Sequence, residues 1–393
     1  RQRPYVIGYA SQFMRRAQCC FFQLFRLFPI SNHMGEKHRC APATRNAAAT
    51  SQERGKDGKI TPVKLVAQNG ARIDAVAACL PEIRADAAER CAAVCGREKA
   101  ESAAAAAGFR TLRLAKPGTD TFALCAASAR RALAISGTAP GDLSAIVAVS
   151  ITPGLEMPGL SHRLHGALRA PRDCICTDLR LACPGFVHGL HIASVYAAAT
   201  GGKVLLCDGD VQSAAINPAD AGALPVFADA AAAAIVSPSD EARDPWLFGF
   251  MSDGAEADAL RLSCGGRIEM DGFGVFRFVT SAAADFIRGF MDAADARPES
   301  VDAFVPHQAN MYMTGRLAKS LGFTPEKTWN GCEESGNPGS ASIPVAIAKR
   351  GPDAAGKRLL AAGFGGGLSA AAAKIALPDG FKAECFDFAG EGL

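Results

Sequence analysis

Residues 174–199, CICTDLRLACPGFVHGLHIASVYAAA, decide how this chain is read. Cys174 to Leu181 is strand-like, and Gly185 to Ala199 is helix-like. Between them stands Cys183, in Leu-Ala-Cys-Pro-Gly-Phe. A thiol at a strand-to-helix junction lies at the positive end of the helix macrodipole. The N–H groups of the first turn point towards it. Both effects favour thiolate over thiol, so Cys183 is expected to be a nucleophile. Pro184 suits the first helical position, where its missing N–H costs nothing.

The same alternation extends on both sides. Upstream, Ala71 to Leu80 and Asp142 to Ile151 read as strands, and Thr119 to Gly137 and Pro158 to Leu168 as helices. Gly202 to Cys207 and Phe227 to Val236 are further strands. Downstream, Val279 to Ala293, Met311 to Leu321 and Ile343 to Lys349 are helical, while Ala303 to Pro306, Arg358 to Gly363 and Leu368 to Ile375 are strands. Strands alternating with helices imply an α/β fold with helices on both faces of a sheet. Each half places a chemically capable residue between a strand and a helix, which hints at an internal duplication.

Size and composition agree. The chain has 393 residues, 49% hydrophobic and 21% charged, which suits two domains or one large duplicated fold. Its net charge of +3 is uneven: residues 1–59 carry 11 Lys/Arg against 3 Asp/Glu, leaving a mildly acidic remainder. That body lacks the basic balance of a nucleic-acid binder. The 14 cysteines include no Cys-x-x-Cys pair, so most are read as small core residues in a reducing compartment. His188 and His191 lack a third ligand nearby and are read as helix packing, not a metal pair. No apolar run is long enough to span a membrane. Residues 1–60 break from the rest in composition. They are read as a dispensable extension outside the core, with an organelle transit segment or a membrane-surface helix as alternatives.

Three more motifs accompany the cysteine. His307, in Val-Pro-His-Gln-Ala-Asn, sits at the carboxyl edge of a strand, where open sheets build their sites. Asn337 lies in Gly-Asn-Pro-Gly-Ser-Ala-Ser, whose small residues let backbone approach a substrate while the amide donates; Ser340 or Ser342 would cap the next helix. Gly363-Phe-Gly-Gly-Gly367 lacks the Lys-Ser/Thr of a phosphate loop but can turn N–H groups towards a substrate oxygen.

Together these motifs, with Asp271-Gly-Phe-Gly-Val-Phe-Arg277, resemble β-ketoacyl-acyl carrier protein synthase III of the thiolase superfamily, over about residues 70 to 377. The resemblance implies a duplicated βαβαβαββ unit in a five-layered αβαβα core. Residues 64–245 form the half carrying Cys183, and residues 246–393 the half carrying His307 and Asn337. It implies a homodimer, cytoplasmic, with no cofactor and no metal. The implied reaction joins an acyl thioester primer, bound to coenzyme A or acyl carrier protein, to malonyl-acyl carrier protein with loss of carbon dioxide. Cys183 would carry the acyl group, and His307 and Asn337 would stabilise the charge left by decarboxylation. The N–H groups of Cys183 and Gly366 would form the oxyanion hole. Met157, Phe273, Arg277 and Lys319 would meet substrate or carrier protein. A non-condensing acyltransferase and an inactive partner subunit are the alternatives. The chain departs from the pattern in four places. Residues 101–107 lack the Trp and Arg that sandwich adenine in many members. Tyr312 replaces a usual Arg, Met157-Pro158 replaces Phe-Pro, and Phe227-Ala-Asp-Ala-Ala-Ala232 replaces a Gly-richer strand.

Overall fold

The computed structural model describes residues 63–240, 245–263 and 266–390, so the reading of residues 1–60 lies outside the described residues. The chain begins β1 (Val66–Gln68), β2 (Ala71–Leu80), β3 (Ile83–Asp86), α1 (Ala87–Cys95), α2 (Arg97–Ala107), β4 (Thr111–Leu114), α3 (Thr121–Ser136) and β5 (Leu143–Val149). It continues α4 (Leu160–Leu168), β6 (Ile175–Leu179), α5 (Gly185–Thr200), β7 (Lys203–Val211) and β8 (Asp229–Pro238). Then come β9 (Trp246–Ser252), β10 (Leu260–Leu262), β11 (Ile268–Met270), α6 (Gly272–Phe278), α7 (Ala284–Ala294) and β12 (Ala303–Pro306). The last elements are α8 (Met311–Ser320), α9 (Ser342–Arg350), β13 (Arg358–Gly365), β14 (Ser369–Ala376) and β15 (Lys382–Asp387).

Two sheets carry the architecture. One has the order β15-β2-β8-β7-β5-β6, the other β1-β9-β14-β13-β12. Helices α5 and α9 lie between them and touch both. Helices α3 and α4 cover the outer face of the first sheet, and α7 and α8 that of the second. This is the five-layered α/β arrangement expected from the motifs. The sheets do not respect a cut at residue 245. β1 pairs antiparallel with β9 of the second sheet, and β15 pairs parallel with β2 of the first.

The strands are rich in alanine, a strong helix former: Ala230–Ala234 in β8 and Ala370–Ala373 in β14. Tertiary packing overrides that preference. These alanines are fully buried between helix layers, where a larger side chain would push the layers apart. Helix α5 carries Val187, Leu190, Ala193 and Ala197 into the same central core. His188 and His191 pack on the rings of Phe250 and Phe248, at 4.6 and 4.9 Å, as core residues do.

Capping fixes where the helices start. Asp120 Oδ1 accepts from Ala123 N–H at 2.9 Å to start α3, and Asn310 Oδ1 accepts from Met313 N–H at 2.7 Å to start α8. The second cap ends the Pro-His-Gln-Ala-Asn turn and so sets where His307 leaves β12. No helix among the described residues is long and apolar enough to cross a membrane.

Candidate active site

Cys183 lies between β6 and α5, as its sequence context predicts, and Gly185 opens the helix. Pro184 takes the N-cap, one position earlier than expected. The first turn is closed by Gly185 N–H to the Ala182 carbonyl at 2.7 Å and Val187 N–H to the Pro184 carbonyl at 3.1 Å. The end of β13 presses on this turn. A β-carbon at Gly363 would lie 2.5 Å from Pro184 Cα and 2.7 Å from the Cys183 carbonyl oxygen. One at Gly365 would lie 2.8 Å from Cys183 Sγ. Glycine is required at both by contact distance alone.

His307 arrives at the same strand end from the other side. Its N–H donates to the Ala362 carbonyl at 2.7 Å, and its ring meets Phe364 edge-on at 5.5 Å. Nδ1 lies 2.8 Å from Ser342 Oγ, which also accepts from Gln308 N–H at 3.2 Å. Asn337 is held by two backbone bonds, its N–H to the Val226 carbonyl and its carbonyl to Ala228 N–H, each 2.9 Å. Its side chain accepts from Gly339 N–H at 2.8 Å and donates to the Ala309 carbonyl at 3.2 Å. The Gly339 backbone carbonyl also accepts from the His307 ring. The loop 337–342 therefore ties the histidine and the asparagine together. Through Ser340 it reaches the cysteine's helix as well: Ser340 Oγ accepts from Phe186 N–H at 2.6 Å and donates to Asp208 Oδ2 at 2.8 Å. The two serines read as helix caps instead position the site.

The electrostatics depart from expectation at Cys183. Burial pushes its thiol up to about 12, with Asp210 and Asp208 pushing the same way and the N–H groups of Gly366 and Cys183 opposing. The magnitudes explain why. A helix N-terminus contributes about 0.3–1 kcal/mol, less than one pKa unit. Desolvation moves a buried group by up to about 3–5 units. The helix argument was sound but incomplete, because it left out the desolvation of the thiol, to which two buried carboxylates on β7 add. His307 moves the other way: burial lowers it to about 4, so it is neutral at physiological pH and keeps one N–H to donate. Asp210, whose Oδ1 accepts from Ser150 and Thr152 hydroxyls and the Ile151 and Thr152 N–H groups, is raised by burial to about 6. Asp208 is raised well above the carboxylate range, chiefly by burial.

A pH prediction follows. With its thiol far above neutrality, Cys183 should acylate about tenfold faster per pH unit between about pH 6 and 9, the thiolate fraction being limiting. Rapid-quench mass measurement of acyl-enzyme would check this. A plateau near neutrality would show that the helix terminus wins after all.

Cys183 opens into a cavity of about 750 Å³, walled by Ile151, Phe227, Leu260, Ile268 and Leu368 among others, with Gly366, Asp210 and Gln212 on its rim and floor. The remaining expected site residues lie elsewhere. Met157 and Phe273 are 88% and 76% exposed, and Lys319 is exposed on the last turn of α8. Arg277 ends α6 and pairs with Glu256 at 3.5 Å. None of the four lines the cavity, and neither does His307 or Asn337. Sequence reasoning missed Gln212, Asp208 and Asp210. A signal was present, since two acids interrupt the apolar run Val204 to Val211.

The chain is similar to known proteins. Residues 177–254 match the family described as 3-oxoacyl-[acyl-carrier-protein (ACP)] synthase III, and residues 291–377 match its C-terminal counterpart. The β-ketoacyl-[acyl-carrier-protein] synthase III of Natranaerobius thermophilus is 31% identical over 288 residues, 67% of this chain and 86% of the relative. The crystal structure of a 3-oxoacyl-(acyl-carrier protein) synthase from Burkholderia xenovorans superposes with a TM-score of 0.79 at 27% identity, covering 83% of this chain and 99% of that one. The priming β-ketosynthase of the R1128 polyketide pathway gives 0.72 at 29%, covering 82% and 99%. On these likenesses the chain belongs to the 3-oxoacyl-[acyl-carrier-protein] synthase III family.

Proposed function

We propose that the chain catalyses a decarboxylating Claisen condensation between an acyl primer and malonyl-acyl carrier protein, giving a 3-oxoacyl-acyl carrier protein. The packing of Cys183 and His307 on the end of β13, with Asn337 tied to the same loop and Cys183 opening into the cavity, carries the reading. The Cys183 thiolate attacks the primer's thioester carbonyl, and the primer's thiol leaves with a proton. The N–H groups of Cys183 and Gly366 face the oxygen that becomes negative. Malonyl thioester then loses carbon dioxide. The electron pair left on its α-carbon spreads to the thioester oxygen, where neutral His307 and Asn337 donate hydrogen bonds. That carbon attacks the acyl group, and Cys183 leaves as thiolate. Peptide mapping after acyl-thioester treatment should place the label on Cys183; label mainly on another cysteine would sink the assignment.

We further read the chain as a homodimer that docks an acidic carrier protein. Leu155 and Met157 are exposed apolar side chains that a second subunit would cover. For docking, Arg277 and Lys319 are the proposed contacts, one tethered to Glu256 and the other on α8. Arg277→Glu should raise KM for malonyl-carrier protein several-fold at low salt with little change in kcat, and the difference should shrink as salt rises. An unchanged KM at low salt would place docking elsewhere.

A further inference from the structure

Gln212 follows β7 and lines the cavity that holds Cys183. Its side chain is 2% exposed, yet Nε2 finds no acceptor among the described residues. Buried amides are paired with few exceptions, so an unpaired one on a residue that lines the nucleophile's cavity points to the ligand. The amide is held in place. A β-carbon at Gly339 would lie 2.7 Å from Gln212 Nε2 and 3.3 Å from its Cδ, so the amide lies flat on that glycine. Gly339 sits in the loop whose next residue, Ser340, bonds Phe186 N–H beside the nucleophile. The surrounding wall is apolar: Ile151, Ala215, Phe227, Leu260, Ile268 and Leu368. Asp210 is a poor substitute as a binding group, because its Oδ1 already accepts from Ser150, Ile151 and Thr152.

We propose that Gln212 selects a primer whose acyl chain carries a hydroxyl group, held by the Gln212 amide within the cavity. A hydroxyl both donates and accepts, so it matches the amide in either orientation. A plain alkyl chain fills the apolar wall but leaves the amide unpaired. A site built around such a bond discriminates against the analogue lacking it far more strongly than an apolar pocket discriminates one methylene. The inference rests on the reading of Cys183 as acyl acceptor.

The test uses pantetheine thioesters of butyrate and of 2-, 3- and 4-hydroxybutyrate, presented to the full chain. In each case the Cys183 sulfur bonds the acyl carbon and pantetheine leaves as its thiol, so the readout is the mass of acyl-enzyme. At least one hydroxybutyryl thioester should acylate about tenfold or more faster than butyryl in the wild type. Gln212→Leu and the near-isosteric Gln212→Met should both bring the hydroxybutyryl-to-butyryl ratio to about one, chiefly by slowing the hydroxybutyryl thioester. The Met variant guards against a packing defect in the Leu variant. Butyryl winning over all three hydroxy thioesters, or a preference that persists in both variants, would overturn the role of Gln212 and leave the condensation reading intact. No acylation of Cys183 by any thioester would instead remove the reading beneath it, and this inference with it.

Discussion

His307→Ala and Asn337→Ala are each expected to lower carbon–carbon bond formation by about a hundredfold or more while leaving Cys183 acylation within a few-fold of wild type. In the proposed mechanism the two side chains donate to the same developing charge, and neither hydrogen-bonds the thiol in this structure. Neutral His307 is the better donor for that task, because an imidazolium would also attract the departing carboxylate. Its burial keeps it neutral down to about pH 4. Malonyl-dependent release of carbon dioxide from pre-acylated enzyme should therefore be flat with pH where acylation climbs. Both half-reactions can be followed separately, by trapped carbon dioxide and by protein mass. If both variants acylate as poorly as Cys183→Ala, the division of labour is wrong.

The second large effect is steric. Gly363→Ala should abolish most acylation. Its new β-carbon meets backbone on the other side, Pro184 Cα at 2.5 Å and the Cys183 carbonyl oxygen at 2.7 Å. A flexible side chain could swing away from such a contact, but a helix N-terminus cannot. Overpacking of this kind costs about 1–3 kcal/mol of stability. A shift of the nucleophile by an ångström costs on the order of a hundredfold in rate. The loss should therefore exceed what the change in melting temperature accounts for. Gly315→Ala, on α8 with nothing near its β-carbon position, is the control and should be silent. Normal acylation by Gly363→Ala would mean that β13 and α5 sit further apart than described.

Much of this was legible in the residues themselves. Cys183, His307 and Asn337 stand in short motifs marked by Pro and Gly, and local turn chemistry places each where the fold needs it. Strands such as Ala71–Leu80 and Ala303–Pro306 show the burial that their apolar runs announce. What stayed hidden depends on distant neighbours. The thiol's environment is set first by burial and then by Asp210 and Asp208 on β7, which lies beside β5 in the first sheet. Gln212 looks like any polar residue after a strand until the loop at Gly339 closes over it. The pairing of β15 was equally invisible, since its sequence KAECFD has little apolar pattern and is held mainly by its neighbour.

That pairing bears on how the protein is made. Ala75 and Leu80 of β2 are partnered by Lys382 and Asp387, close to the far end of the chain. During synthesis one edge of β2 waits for a strand translated about 300 residues later. An unpaired, largely apolar edge is a template for pairing with other chains. Nascent chains stalled before Lys382 would hold that edge open. Cellular folding of this protein is thus tied to translating quickly through Asp387, and to chaperones that shield β2 meanwhile.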